Sequence, residues 1–145
     1  MSASSTLRLA LLAALLSLGS CAKDDAPMPA PVYLLNQRWV LTQVQGQPVP
    51  AGTPETTLLL EAVGNAAGGR AACNTYSSLY TLAAGTPQLR FALPGSTRTT
   101  CPSQALESTY LALLPRTARY TISNGTLRLH DDTDAQPLLE FRAAQ

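Results

Sequence analysis

From residue 88 onward the chain alternates. In QLRFAL, residues 88–93, Leu89, Phe91 and Leu93 fall on one side and Gln88 and Arg90 on the other. That period of two marks a half-buried strand. Residues 118–123, ARYTIS, repeat the pattern with Ala118, Tyr120 and Ile122 on one face. Asn124-Gly125 follows, the pair that tolerates the positive φ angles of a type I′ turn. Leu127 and Leu129 then return on the buried face, with Thr126, Arg128 and His130 outward. Residues 138–142 predict a last strand with Leu139 and Phe141 inward. Upstream, residues 38–44, 57–63, 70–73 and 76–83 read as strands. Residues 45–52 read as a loop and Gly64-Asn65 as a turn.

One stretch has the helical period instead. Over residues 102–114, Leu106, Tyr110, Leu113 and Leu114 stand at i, i+4, i+7 and i+8, a single apolar stripe. Pro102 suits a first helical turn and Pro115 stops the helix. One helix among about eight strands predicts an α+β fold. Its sheet is antiparallel and strongly curved or barrel-like, and the helix packs on one face or closes one end.

The N-terminal pattern differs. Residues 9–18, LALLAALLSL, are nearly all apolar, but a membrane-spanning helix needs roughly 20 such residues. A short apolar run behind Arg8 reads as the core of a signal peptide. It ends at Leu18-Gly19-Ser20-Cys21, which resembles the lipobox of bacterial lipoproteins. That resemblance implies cleavage before Cys21 and acylation of Cys21; the other reading is an ordinary signal peptide cut after Ser20 or Ala22. Two or more acyl chains hold a protein stably to a bilayer where one does not. The expected organisation is a signal peptide at 1–20, a lipidated cysteine with an extended, proline-rich tether at 21–32, and a folded domain at 33–145. With Ala22 and not Asp behind the cysteine, the lipoprotein resemblance implies the outer membrane. Ala22-Lys23-Asp24-Asp25 reads either as a solvated acidic linker or as similar to the tag of surface-displayed lipoproteins.

Charge narrows the function classes. Removing Arg8 leaves nine basic against nine acidic residues. No basic stripe is present, so neither nucleic acid nor electrostatic docking on anionic lipid is expected. Of three cysteines, Cys73 and Cys101 remain if Cys21 carries lipid. An even pair in an oxidising compartment reads as a disulfide. Two buried thiols, or a metal site completed by His130, are the other readings, and a zinc site needs about four ligands.

Five stretches, in order, carry a wider resemblance: WVL at 39–41, ACNTYSSLY at 72–80, STRTTCP at 96–102, ESTYLALL at 107–114 and YTISNGTLRL at 120–129. Together they resemble the META domain family, also called HslJ-like, over residues 37–141. The resemblance implies a small α+β envelope domain with no established enzymatic activity, loosely associated with stress tolerance, and with its two cysteines recurring as a pair. The chain departs from the family pattern at Ala72 and Ser78, where glycine is frequent. Alanine and serine avoid positive φ, so a different local bend is expected.

Candidate chemistry is sparse. A Ser or Cys nucleophile needs a neighbouring base, and the single histidine, His130, is expected on an outward strand position. Asp131-Asp132-Thr133-Asp134 lacks the spacing of a calcium loop and reads as a solvated turn. Trp39 is expected in the core, and Asn74, Tyr76 and Tyr80 as a motif of structural or functional weight. Glu107 is expected to face solvent near Arg98. No catalytic residue, metal or cofactor is expected. The expected function is a non-catalytic envelope module with an envelope protein as partner; the alternative is a binding protein for a small apolar or lipidic ligand.

Overall fold

The computed structural model describes residues 33–133 and 136–145, all within a unit spanning Pro31–Gln145. The signal peptide, Cys21 and the tether lie outside the described residues, as does Asp134. The strands are β1 (Trp39–Val44), β2 (Gln47–Pro48), β3 (Thr57–Leu60), β4 (Ala66–Ala71), β5 (Asn74–Leu82), β6 (Leu89–Phe91), β7 (Gly95–Ser96), β8 (Arg119–Ser123), β9 (Thr126–His130) and β10 (Leu139–Ala143). One helix, α1 (Gln104–Leu113), continues into a 3-10 turn at Leu114–Arg116.

Eight strands run in the order β6-β5-β4-β3-β1-β10-β9-β8, with β2 and β7 as short additions on β1 and β5. All pairings are antiparallel. The two ends of this row meet: Leu89 N–H donates to Ala118 C=O at 3.1 Å and Tyr120 N–H to Pro87 C=O at 2.9 Å. The sheet is therefore a nearly closed barrel, which removes the exposed strand edges that invite aggregation. The α+β reading, with a barrel-like sheet of about eight strands and one helix, describes this architecture.

The barrel interior is filled. Trp39, Tyr110 and Phe141 are fully buried with Leu58, Leu60, Leu89, Leu114, Leu127, Leu129 and Leu139. The helix contributes Tyr110, whose ring meets Tyr76 at 5.5 Å and Phe141 at 6.3 Å, both edge-on, the arrangement favoured by the ring quadrupole. Trp39 Nε1 donates to Leu34 C=O at 3.1 Å, so its polar atom is satisfied inside the core.

Several boundaries differ from the sequence expectation, each for a local reason. The strand expected at 57–63 stops at Leu60, leaving Val63 exposed. The alternation at 88–93 breaks after Phe91, and Leu93 turns to solvent. Pro94 beside it has no N–H to give the ladder, and pairing resumes only at β7. The strand expected at 70–73 lies earlier, as β4, because Gly68-Gly69 hides its alternation. No side chain fits at Gly69: a Cβ there would stand 2.3 Å from the Thr57 carbonyl oxygen. The loop expected at 45–52 contains β2. Helix α1 starts after Ser103, so Pro102 precedes it, and Pro115 sits inside the 3-10 turn.

Candidate functional site

The site grows from a turn of four residues. Ala71 and Asn74 are paired across the β4–β5 hairpin. Ala72 between them has φ +65°, and Cys73 N–H donates back to Ala71 C=O at 2.8 Å. This is the positive-φ three-residue turn, a rare and strained form. Ala72 takes this positive φ although it is not glycine. Ser78, the other departure, lies in the regular strand β5, where its hydroxyl donates to Ala92 C=O at 2.8 Å.

The turn aims two backbone donors at one carboxylate. Cys73 N–H and Asn74 N–H reach Glu107 Oε2 at 2.9 and 2.8 Å. Glu107 Oε1 accepts from Asn74 Nδ2 at 2.6 Å and Gln104 Nε2 at 3.3 Å. Glu107 is 2 % exposed, so the solvent-facing position expected for it is wrong. The physical reason is that a buried carboxylate is tolerated when donors surround it. Burial by itself raises the Glu107 pKa. The Asn74 side chain, the Asn74 and Cys73 N–H groups and Gln104 outweigh it and hold the carboxyl below its ordinary value.

Asn74 is the second hub. Its Oδ1 accepts from Thr99 N–H at 2.6 Å and Thr97 Oγ1 at 2.9 Å, and its Nδ2 also donates to Thr99 C=O at 2.9 Å. One amide thus joins β5, the segment 97–99 and helix α1. The Cys73–Cys101 disulfide, with Cα atoms 5.7 Å apart, crosslinks the turn before β5 to the connection between segment 97–99 and α1. Over this lock lies an open cleft of about 350 Å³, lined by Asn74, Thr99 and Glu107 themselves together with Ser96, Arg98 and Ser108.

Tyr76 and Tyr80 occupy the inward face of β5. Tyr76 donates to Thr57 C=O at 3.0 Å and lies 2.6 Å from the Tyr110 hydroxyl, so Tyr110 donates to Tyr76. Burial pushes both phenols above their usual range. Tyr80 donates to Glu61 C=O at 2.7 Å, and burial raises its pKa as well. These side chains stay protonated at neutral pH and join strands to one another.

The remaining candidates stand apart. His130 ends β9 and is not among the residues that line the cleft, with its Nε2 3.5 Å from Thr121 Oγ1. Asp131 accepts from Thr133 N–H at 3.0 Å and Thr133 Oγ1 at 2.6 Å and pairs with Arg116 at 3.3 Å. The Thr133 bonds lead in holding its carboxyl below the ordinary value. Among the described residues no group of three or more His, Cys, Asp or Glu could hold a metal ion. Among them, too, no helix is long and apolar enough to cross a membrane. Sequence reasoning missed Glu107 and the Tyr110 hydroxyl. The signal for Glu107 was its spacing: with Tyr110 and Leu114 it stands at i, i+3 and i+7, one face of a helix.

Comparison with known proteins bears on the whole described chain. A family model described as the META domain matches residues 32–145. No curated protein sequence matches the chain. Two solved structures are similar. An NMR structure of a protein from Burkholderia xenovorans is 27 % identical, with a TM-score of 0.60 over 86 % of this chain and 97 % of that one. A second NMR structure is 22 % identical, with a TM-score of 0.57 over 75 % of this chain and 90 % of that one.

Proposed function

The chain belongs to the META domain family, and from that premise we propose that it is a non-catalytic interaction module of the cell envelope, anchored to the outer membrane through lipid on Cys21. One observation carries this reading. The most elaborate polar constellation among the described residues lines the cleft with its hydrogen bonds already satisfied internally: Glu107 and Asn74 bond each other, the turn at Cys73 and the segment 97–99. A carboxylate held ionised by donors on both oxygens is a poor proton donor near neutral pH. The arrangement instead makes a rigid polar surface, the cleft beside Arg98, suited to meeting an envelope protein partner.

The barrel interior supports the same choice over a small apolar or lipidic ligand. It is occupied by Trp39, Tyr110, Phe141 and leucines, whereas ligand-holding barrels keep a cavity. The HslJ-like resemblance adds a role in stress tolerance, exercised through that partner.

Two measurements test the reading. Cys21→Ala is expected to release the protein from the membrane fraction; retention would overturn the anchor. A photo-crosslinking residue at Arg98, irradiated in the intact envelope, is expected to give a discrete adduct with another protein. Absence of any adduct there, with the fold intact, would overturn the partner.

A further inference from the structure

Four large apolar side chains are exposed: Tyr33 at 71 %, Val63 at 85 %, Leu79 at 60 % and Leu93 at 84 %. The pairings bring their segments together. Leu79 in β5 is opposite Ala66 of β4, and Tyr80 N–H donates to Asn65 C=O, so the turn holding Val63 runs beside Leu79. Ala92 N–H donates to Leu79 C=O, which sets Leu93 on the other flank. Asn36 N–H donates to Leu60 C=O and Asn36 Oδ1 accepts from Ala62 N–H at 3.0 Å, so the segment holding Tyr33 meets the same turn. Residues 33–37, 61–65, 77–83 and 91–95 carry one formal charge between them, Glu61. Serine and threonine fill the gaps, at Ser77 and Thr81.

We propose that this apolar rim is the face that the domain lays against a lipid bilayer. Where the tether joins the domain decides for lipid. Tyr33 is the first described residue, so the chain from Cys21 arrives at the rim itself. Residues 21–32 span at most about 40 Å when extended, so a lipid on Cys21 keeps the rim within reach of the surface. Tethering makes contact intramolecular, at an effective concentration on the order of millimolar, so four side chains suffice where a free domain would not stay bound. Tyrosine favours the headgroup region. With no basic cluster at the rim, binding does not depend on anionic lipid.

The fold then fixes an orientation. Asn74 begins β5 and Leu79 lies five residues along it, about 17 Å at strand rise. The cleft beside Arg98 is at the far end of that strand from the rim. A rim seated on lipid turns the cleft away from the membrane, toward a partner.

This inference rests on the lipid anchor at Cys21, and one experiment separates the two. The acylated full-length protein, extracted from its host envelope, is incorporated into vesicles of phosphatidylcholine brominated along the acyl chains. The only native tryptophan, Trp39, is fully buried and gives a low background of quenching. Leu93→Trp reports the rim and Ser108→Trp, at an exposed position on α1, reports the cleft. The expected result is flotation of both variants with the vesicles and quenching at least threefold stronger for Leu93→Trp than for Ser108→Trp. Leu79→Trp is expected to behave like Leu93→Trp. Flotation with equal, weak quenching at all three positions overturns the docking alone and leaves the rim to a protein. Failure to float overturns the anchor and the docking with it.

Discussion

The β8–β9 hairpin and the Cys73 turn are both tight connections between antiparallel strands, yet they are held by different physics. The hairpin is self-sufficient. Asn124 and Gly125 take φ +49° and +71°, the values their types favour, and Leu127 and Leu129 are buried by simple alternation. The Cys73 turn is not. It forces an alanine to φ +65° and is kept in place by a disulfide to residue 101 and a carboxylate from residue 107. A connection whose own residues resist its shape must be held from far along the chain, and that support makes it rigid.

If this contrast is right, the largest effect comes from cutting the covalent support. Replacing Cys73 and Cys101 together by serine opens a loop of 28 residues' separation. It is expected to lower unfolding stability by about 3.6 kcal/mol on the chain-entropy model, read by urea denaturation. A loss below about 1 kcal/mol would show the polar network holding the turn alone.

Glu107→Gln comes next, at about 3 kcal/mol. All four partners of the carboxylate are donors, so an amide NH₂ faces donors and leaves buried N–H groups unsatisfied. Its pH signature separates it from a packing defect. The folded-state pKa lies below the ordinary value of 4.5. The contribution is therefore complete above that value and fades as pH falls through the folded one. Stability of the parent protein should drop in that acid range, and the drop should be smaller in Glu107→Gln. Parallel acid limbs for the two proteins would refute the assignment.

At the hairpin the same class of insult is expected to matter less. Asn124→Ala places alanine at φ +49° and should lower stability by about 1 kcal/mol. The smallest effect has the opposite sign. Ala72→Gly relieves the left-handed strain but removes a buried methyl group, for a net gain of about 0.5 kcal/mol. A loss instead would mean that the methyl packs better than the turn is strained.

The same division explains what could be read from sequence. The hairpin, the last strand and the inward leucines announce themselves because alternation and Asn-Gly are local signals. The barrel was legible as a curved sheet, and Trp39 as core, for the same reason. Glu107 was not, since a charged residue next to an apolar stripe reads as solvated unless its donors are known. Those donors are backbone groups 33 and 34 residues away. Leu93 and Val63 misled in the other direction: each continued a strand pattern past the point where the ladder ends. The outward turn of these two side chains is what gives the rim its character, so the misreading marks the surface of interest.

Closure of the barrel has a consequence for how the chain is made. Strand β1 pairs with β10, Trp39 opposite Ala143, and Ala144 N–H reaches back to Arg38 C=O at 2.8 Å. The first strand of the barrel thus waits for the last before its second edge is filled. During synthesis the emerging polypeptide keeps that edge open until some hundred residues have followed it, and such non-local pairing folds slowly. Closure of the barrel is therefore a late event, set by the last strand and not by the first. Barrel topology is here also a timer.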